Sequence, residues 1–213
     1  MTGVRADADD VRGAALDVAL VDAGGANLGS VRYALERLGV APRLVRDADC
    51  LDGASHVILP GVGAAAPAMA ALHARGLDAA LRASTAPLLG ICLGMQLLFD
   101  HSEEGGIDCL GLLPGVVARM RPGAGVRVPH MGWNRLQAVR PSRLLAGIDE
   151  GAWAYFVHGY AAPVGEACVA ACVHGDRFAA VVESGRVGGA QFHPERSTAA
   201  GAMLLRNFIG IVA

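Results

Sequence analysis

The sequence predicts an α/β fold: a central, mostly parallel β-sheet flanked by helices, with additional β-hairpins. Three observations carry that expectation. From Leu16 to Phe99, short apolar runs alternate with segments of helical period; a glycine-bearing turn follows most of the strand signals; and beyond Phe99 the pattern changes to short β-branched runs divided by Gly and Pro. With 213 residues the chain is long enough for one sizeable core. Residues 15–213 are assigned to a single domain and residues 1–14 to a disordered N-terminal extension, whose aspartates and arginines lack the apolar centre of a secretory signal.

Leu16 to Val21 is the first strand signal. A glycine-rich turn leads to Asn27, a side chain suited to capping a helix over Leu28 to Leu38. Pro42 to Arg46 and His56 to Leu59 read as two more strands, the second running into Pro60-Gly61-Val62-Gly63. An alanine-rich helical region follows to about Arg82, broken at Gly76. Pro87 to Leu89 ends a buried strand, and Leu93 to Phe99 has the apolar pattern of a helix. Val116–Met120, Val126–Pro129, Ala152–His158, Ala167–Val173 and Phe178–Glu183 read as strands or hairpins, Val187–Phe192 as a further strand, and Thr198–Val212 as a closing helix. Cys168 and Cys172, four residues apart in one of these strands, are expected on the same face as core residues. Periodicity leaves the order of the strands open.

Composition excludes several classes of function. A formal charge of −2, a pI of about 6.4 and scattered arginines provide no basic field for nucleic acid. Every apolar stretch is interrupted before the roughly 20 residues needed to cross a bilayer, so no membrane span is expected. The five cysteines, at positions 50, 92, 109, 168 and 172, form an odd set without zinc-type pairing to nearby histidines. They fit reduced thiols in a cytoplasmic protein with no metal and no cofactor.

Gly90-Ile91-Cys92-Leu93-Gly94 is the leading candidate for chemistry. A thiol between a buried strand and a helix, flanked by glycines, projects from a sharp turn where the helix N-terminus favours a thiolate and free amides face an oxyanion. The same five residues also suit a plain strand-to-helix connection, so a base is needed to decide. Gln191-Phe192-His193-Pro194-Glu195-Arg196 lies at the end of the last predicted strand, on the edge where Cys92 should emerge. Pro194 biases His193 toward an extended backbone, which points the side chains of residues 193 and 195 the same way. Glu195 is then placed to hold the imidazole in one tautomer.

With these two motifs the chain resembles the class I, or triad, glutamine amidotransferases. The resemblance makes Cys92 the nucleophile, His193 the general base and acid, and Glu195 its orienting carboxylate. It also implies an oxyanion hole from Val62 or Gly63 together with Leu93 N–H, and L-glutamine as substrate, held by Gln96, Gly61, Met131 and Gly132. More specifically the chain is similar to the glutaminase subunits of imidazole glycerol phosphate synthase, through Pro60 to Gly63, Gly90 to Gln96, Pro129-His130-Met131-Gly132-Trp133-Asn134, Tyr155 to His158 and Gln191 to Ser197, in order. That likeness implies ammonia transfer to a separate (β/α)8-barrel cyclase subunit, with Asn27, Trp133, Tyr155 and Arg196 facing the partner.

Other roles stand beside these. Asn27 suits a helix cap, the two aromatics suit an edge of the core, and His130 and His158 suit either hydrogen-bonded structural positions or the site. Three positions depart from the family's pattern: Ala26 stands where glycine is usual, Gly159 where a hydroxyl residue is usual, and Arg196 where lysine is usual. Glutaminases of other pathways, a catalytically silent binding module and a cysteine peptidase are the competing readings. The Pro-Gly-Val-Gly and Pro-His-Met-Gly-Trp-Asn stretches argue against the first, and the retained Cys92, His193 and Glu195 against the second.

Overall fold

A computed structural model describes residues 16–24 and 27–211. The expected N-terminal extension, Ala26 and Val212 lie outside the described residues. The elements in chain order are β1 (Val18–Val21), α1 (Leu28–Glu36), β2 (Arg43–Val45), β3 (His56–Gly61), α2 (Ala65–Ala74), α3 (Leu77–Ala83), β4 (Leu88–Cys92), α4 (Leu93–Gln96), β5 (Phe99–Ser102), β6 (Ile107–Asp108), β7 (Leu113–Arg119), β8 (His130–Arg135), β9 (Gln137–Ala138), β10 (Trp153–His158), β11 (Tyr160–Ala161), β12 (Cys168–His174), β13 (Asp176–Ser184), β14 (Val187–Ala190) and α5 (Thr198–Ile209).

Eight strands form the central sheet in the order β2-β1-β3-β4-β14-β13-β12-β9. The first five run parallel, and β13, β12 and β9 extend the sheet antiparallel. Strands β1, β3, β4 and β14 are buried along their whole length, as expected for strands with neighbours on both sides and cover on both faces. Alternate residues feed two apolar clusters: Ala19, Val21, Val57, Leu59 and Leu88 on one face, Val18, Leu20, Ile58, Leu89 and Ile91 on the other. Because β3, β4 and β14 are parallel neighbours, Gly61, Cys92 and the chain leaving Ala190 emerge on one edge. A four-stranded sheet, β11-β7-β5-β6, and the two-stranded ribbon of β8 and β10 lie outside the central sheet.

Four expectations need correction. The helix after Cys92 spans only Leu93–Gln96; Phe99 instead pairs with Leu113 in a parallel ladder, so the apolar run past Gln96 serves a turn and a strand. Val126–Pro129 forms no strand, and Val126 makes only an isolated bridge to Gly123, since Pro129 brings no N–H to a ladder. Cys168 and Cys172 face opposite sides of the sheet. A bulge at Ala170 shifts the alternation between them, putting Cys168 with Leu59 in one cluster and Cys172 with Phe178 in the other. Finally, Asn27 makes no side-chain cap for α1.

Candidate active site

The cysteine sits at a strained elbow. Cys92 ends β4 with φ 54° and ψ −111°, a conformation a non-glycine residue holds only when its surroundings impose it. The surroundings do so by contact: Gly61 of β3 is the register partner of Cys92, and a Cβ built on Gly61 would lie 2.9 Å from Gly94 N. Cys92 is buried, yet it borders a cavity of about 290 Å³ together with Val62, Gly63, Leu93, Gln96 and Glu104. Leu93 opens α4, so its amide is one of the helix's unpaired donors at the cavity wall. Gly63, at φ 100°, gives the wall after β3 a backbone that few other residues adopt.

The histidine arrives from β14. His193 is extended at φ −94° and ψ 99°, its N–H donates to Tyr155 O at 3.0 Å, and Pro194–Arg196 then turn tightly. Ser197 locks that turn, its hydroxyl donating to His193 O at 2.7 Å while accepting Tyr155 N–H at 2.9 Å. The turn brings Glu195 Oε1 to 2.8 Å from His193 Nδ1, leaving the other ring nitrogen free of Glu195 in a residue that lines the same cavity as Cys92. Burial opposes a charge on His193, but its neighbours Cys92 and Glu195 outweigh it and push the imidazole up to about 10. Glu195 is held below the usual carboxylate value: burial works against it, and His193 and Asn27 prevail. Asn27 sits at φ 89° and donates from Nδ2 to Glu195 Oε1 at 2.6 Å. Its side chain is therefore spent on the acid of the series.

Two further histidines lie behind the cavity. His158 Nδ1 is 2.8 Å from Tyr160 O, and its Nε2 is 3.1 Å from His130 Nδ1. Burial drives His130 down to about 4 and His158 down to about 3, so both rings are neutral near pH 7. The unfolded chain takes up these protons near pH 6.5, whereas the fold resists until pH 3 to 4. Their stability contribution is thus complete above pH 6.5 and is lost as pH falls through that window. His193, shifted the other way, adds no slope there, its share being lost only as pH rises toward 10. Thermal unfolding should show a few kcal/mol lost between about pH 6.5 and 4.5, and a His130→Asn, His158→Asn chain should flatten that slope. An unchanged slope would mean the two rings protonate normally.

Residues 19–211 match the family model for class-I glutamine amidotransferases. The chain belongs to the class-I glutamine amidotransferase family. Within it, this amidotransferase is 67% identical to imidazole glycerol phosphate synthase subunit HisH of Xanthomonas campestris pv. campestris (strain 8004), over 91% of this chain and 96% of that protein. It is 64% identical to the subunit of the same name from Xylella fastidiosa (strain Temecula1), over the same shares, and it groups with these subunits. A solved glutamine amidotransferase shares the fold at TM-score 0.71 and 23% identity, covering 91% of this chain and 99% of that one.

In the amidotransferase Cys92, His193, Val62, Gly63, Leu93 and Gln96 line one cavity, and Glu195 meets it through His193. Gly61 does not line the cavity; it packs under the elbow. Met131 and Gly132 are also outside the lining, because the ribbon pairs Met131 with Val157 and turns its side chain outward at 66% exposure. Trp133 is 47% exposed on the same ribbon, edge-on to the half-buried Tyr155 with ring centroids 5.7 Å apart, and Arg196 is exposed. Gly159 lines the cavity, and a Cβ there would meet only Val128 and Pro129 at 3.9 Å or more. Sequence reasoning missed Glu104, which lines the cavity while Oε2 accepts Ala65 N–H at 2.8 Å, and the buried Gln191, whose Nε2 is 3.8 Å from Cys92 Sγ. Glu104 sits in a Glu-Glu-Gly-Gly stretch that reads as a solvated turn, so nothing local distinguishes it.

Proposed function

We propose that the amidotransferase hydrolyses L-glutamine to glutamate and ammonia at Cys92. The ammonia passes to a (β/α)8-barrel cyclase subunit, which forms imidazole glycerol phosphate and an aminoimidazole carboxamide ribonucleotide in histidine biosynthesis. One observation carries the hydrolytic reading: Cys92, at a strained elbow, and His193, hydrogen-bonded to Glu195, line the same cavity. The partner is that of the relatives, which are named as synthase subunits. The exposed aromatic ribbon around Trp133, next to the site through Val157, is the surface proposed to meet it. No metal or cofactor enters the scheme, and the setting is cytoplasmic.

The steps follow from the groups. The Cys92 thiolate attacks the side-chain carbonyl carbon of glutamine, and the oxyanion is met by Leu93 N–H and the amide of Val62 or Gly63. The imidazolium of His193 gives its proton to the departing nitrogen, releasing ammonia and leaving a glutamyl thioester. His193 then takes a proton from water, which attacks the thioester and frees glutamate and Cys92. Glu195 keeps the ring oriented and stabilises its charged form throughout. Gln96 has both amide hydrogens engaged, donating from Nε2 to Tyr160 O at 2.8 Å and to Gln191 Oε1 at 2.9 Å. Only its Oε1 is left for substrate, so Gln96 and the Glu104 carboxylate act as acceptors for the α-ammonium group.

A glutamine-like diazoketone is expected to alkylate Cys92, read as an adduct on the peptide carrying that residue. No adduct there, or one on another cysteine, would overturn the assignment.

A further inference from the structure

We infer that His158 is a positioning residue for the glutamine pocket, and that His130 is the ring that seats it. The inference rests on the glutaminase reading above and deepens it. His158 closes β10 and lines the cavity, and the carbonyl of the preceding residue, Val157, lies 3.8 Å from Cys92 Sγ. Tyr160 O joins His158 to Gln96, the side chain proposed to hold the substrate, since it is 2.8 Å from both His158 Nδ1 and Gln96 Nε2. A carbonyl oxygen has two lone pairs, and these two donors use both.

The direction of each bond follows from that carbonyl. A backbone oxygen only accepts, so His158 carries its hydrogen on Nδ1 and leaves Nε2 bare. His130 Nδ1 stands 3.1 Å from that bare nitrogen and must therefore be the donor, which leaves His130 Nε2 to accept from Asn134 Nδ2 at 3.4 Å. The second hydrogen of Asn134 Nδ2 goes to Val173 O at 2.9 Å. One tautomer of each ring satisfies every partner from Asn134 to Tyr160.

Stacking holds the rings in place. His130 lies between Phe156, at 5.0 Å and 25°, and His174, at 4.1 Å and 23°. His158 meets the Phe178 ring edge-on at 4.9 Å. Both histidines are buried and neutral, and a proton added to either would set two donors against each other at the His130–His158 contact. The pair thus fixes the 157–160 backbone that carries both the Tyr160 carbonyl and the wall next to the thiol. With Tyr160 O so held, Gln96 is turned one way, its Oε1 toward substrate.

The test separates pocket shape from thiol reactivity. In the full-length chain, His158→Leu removes the δ-donor, whereas His158→Asn returns an N–H at nearly the same place. Cys92 is labelled by two reagents, iodoacetamide, which needs no pocket, and the glutamine-like diazoketone, which does. His158→Leu should slow the diazoketone at least about tenfold and leave iodoacetamide within about threefold, while His158→Asn should restore the diazoketone to within about threefold of the unaltered chain. Equal diazoketone rates in His158→Leu and the unaltered chain, equal slowing of both reagents, or no recovery in His158→Asn would each overturn the inference. If His158→Leu fails to fold, His130→Leu unseats the intact His158 and should show the same split between reagents; its absence would overturn the inference as well. An unaltered chain that the diazoketone does not label at Cys92 would sink the glutaminase reading itself, and this inference with it.

Discussion

Cys92→Ala is expected to lower glutamine-dependent synthesis at least about 10⁴-fold, while synthesis from added ammonia by the same complex stays within about twofold. In the proposed mechanism the Cys92 thiolate supplies the covalent step, and neither His193 nor the amides proposed to meet the oxyanion can replace its sulfur. Alanine keeps Cβ and removes only Sγ, which makes two long contacts, to Val157 O and Gln191 Nε2, both 3.8 Å. The backbone at φ 54° is imposed by the packing of Gly61 and Gly94, so the elbow should persist without the thiol. The aromatic ribbon proposed to meet the cyclase is untouched. Glutamate release and ammonia-driven product formation, measured on one preparation, check both halves. Loss of both activities would point to a folding or docking defect and count against the chemical role.

The parts of this site that were legible in sequence are those whose physics is local. Apolar runs in β1, β3, β4 and β14 announce buried parallel strands, and Gly-x-Cys-x-Gly and His-Pro-Glu each carry their own backbone constraint. What the sequence hid depends on pairings made at long range. The order β3-β4-β14, which sets Cys92 beside His193, joins segments about a hundred residues apart, and no periodicity records it. Asn27 reads as a helix cap because asparagine suits that place, yet its side chain turns to Glu195, 168 residues away. Cys168 and Cys172 were placed on one face by simple alternation, and one bulge at Ala170 reversed the phase. Glu104 and His158 enter the site only because the outer sheet and the ribbon fold over the edge of the central one.

The elbow's glycines are legible as a motif, but only the structure says what each one clears. A Cβ built on Gly94 would stand 1.8 Å from Leu59 O and 2.8 Å from Leu59 C. Those atoms are backbone of β3, between two paired neighbours, so no side chain can swing aside to make room. Gly94→Ala must push α4 away from β3, and α4 carries Leu93 N–H and Gln96 while its first turn fixes Cys92. The expected cost is about 3 kcal/mol or more in urea unfolding, at the upper end for overpacked cores. Activity in the remaining folded protein should fall about 10²-fold, because a shift of roughly 1 Å moves the amide proposed to meet the oxyanion off the thiol's line of attack. Gly53→Ala is the control: Gly53 has φ 76° and nothing within 4 Å of a Cβ, so it pays only for the left-handed backbone, about 1 kcal/mol. If Gly94→Ala unfolds at the same urea concentration as Gly53→Ala, the elbow is free to move, and the strain at Cys92 cannot be held by β3.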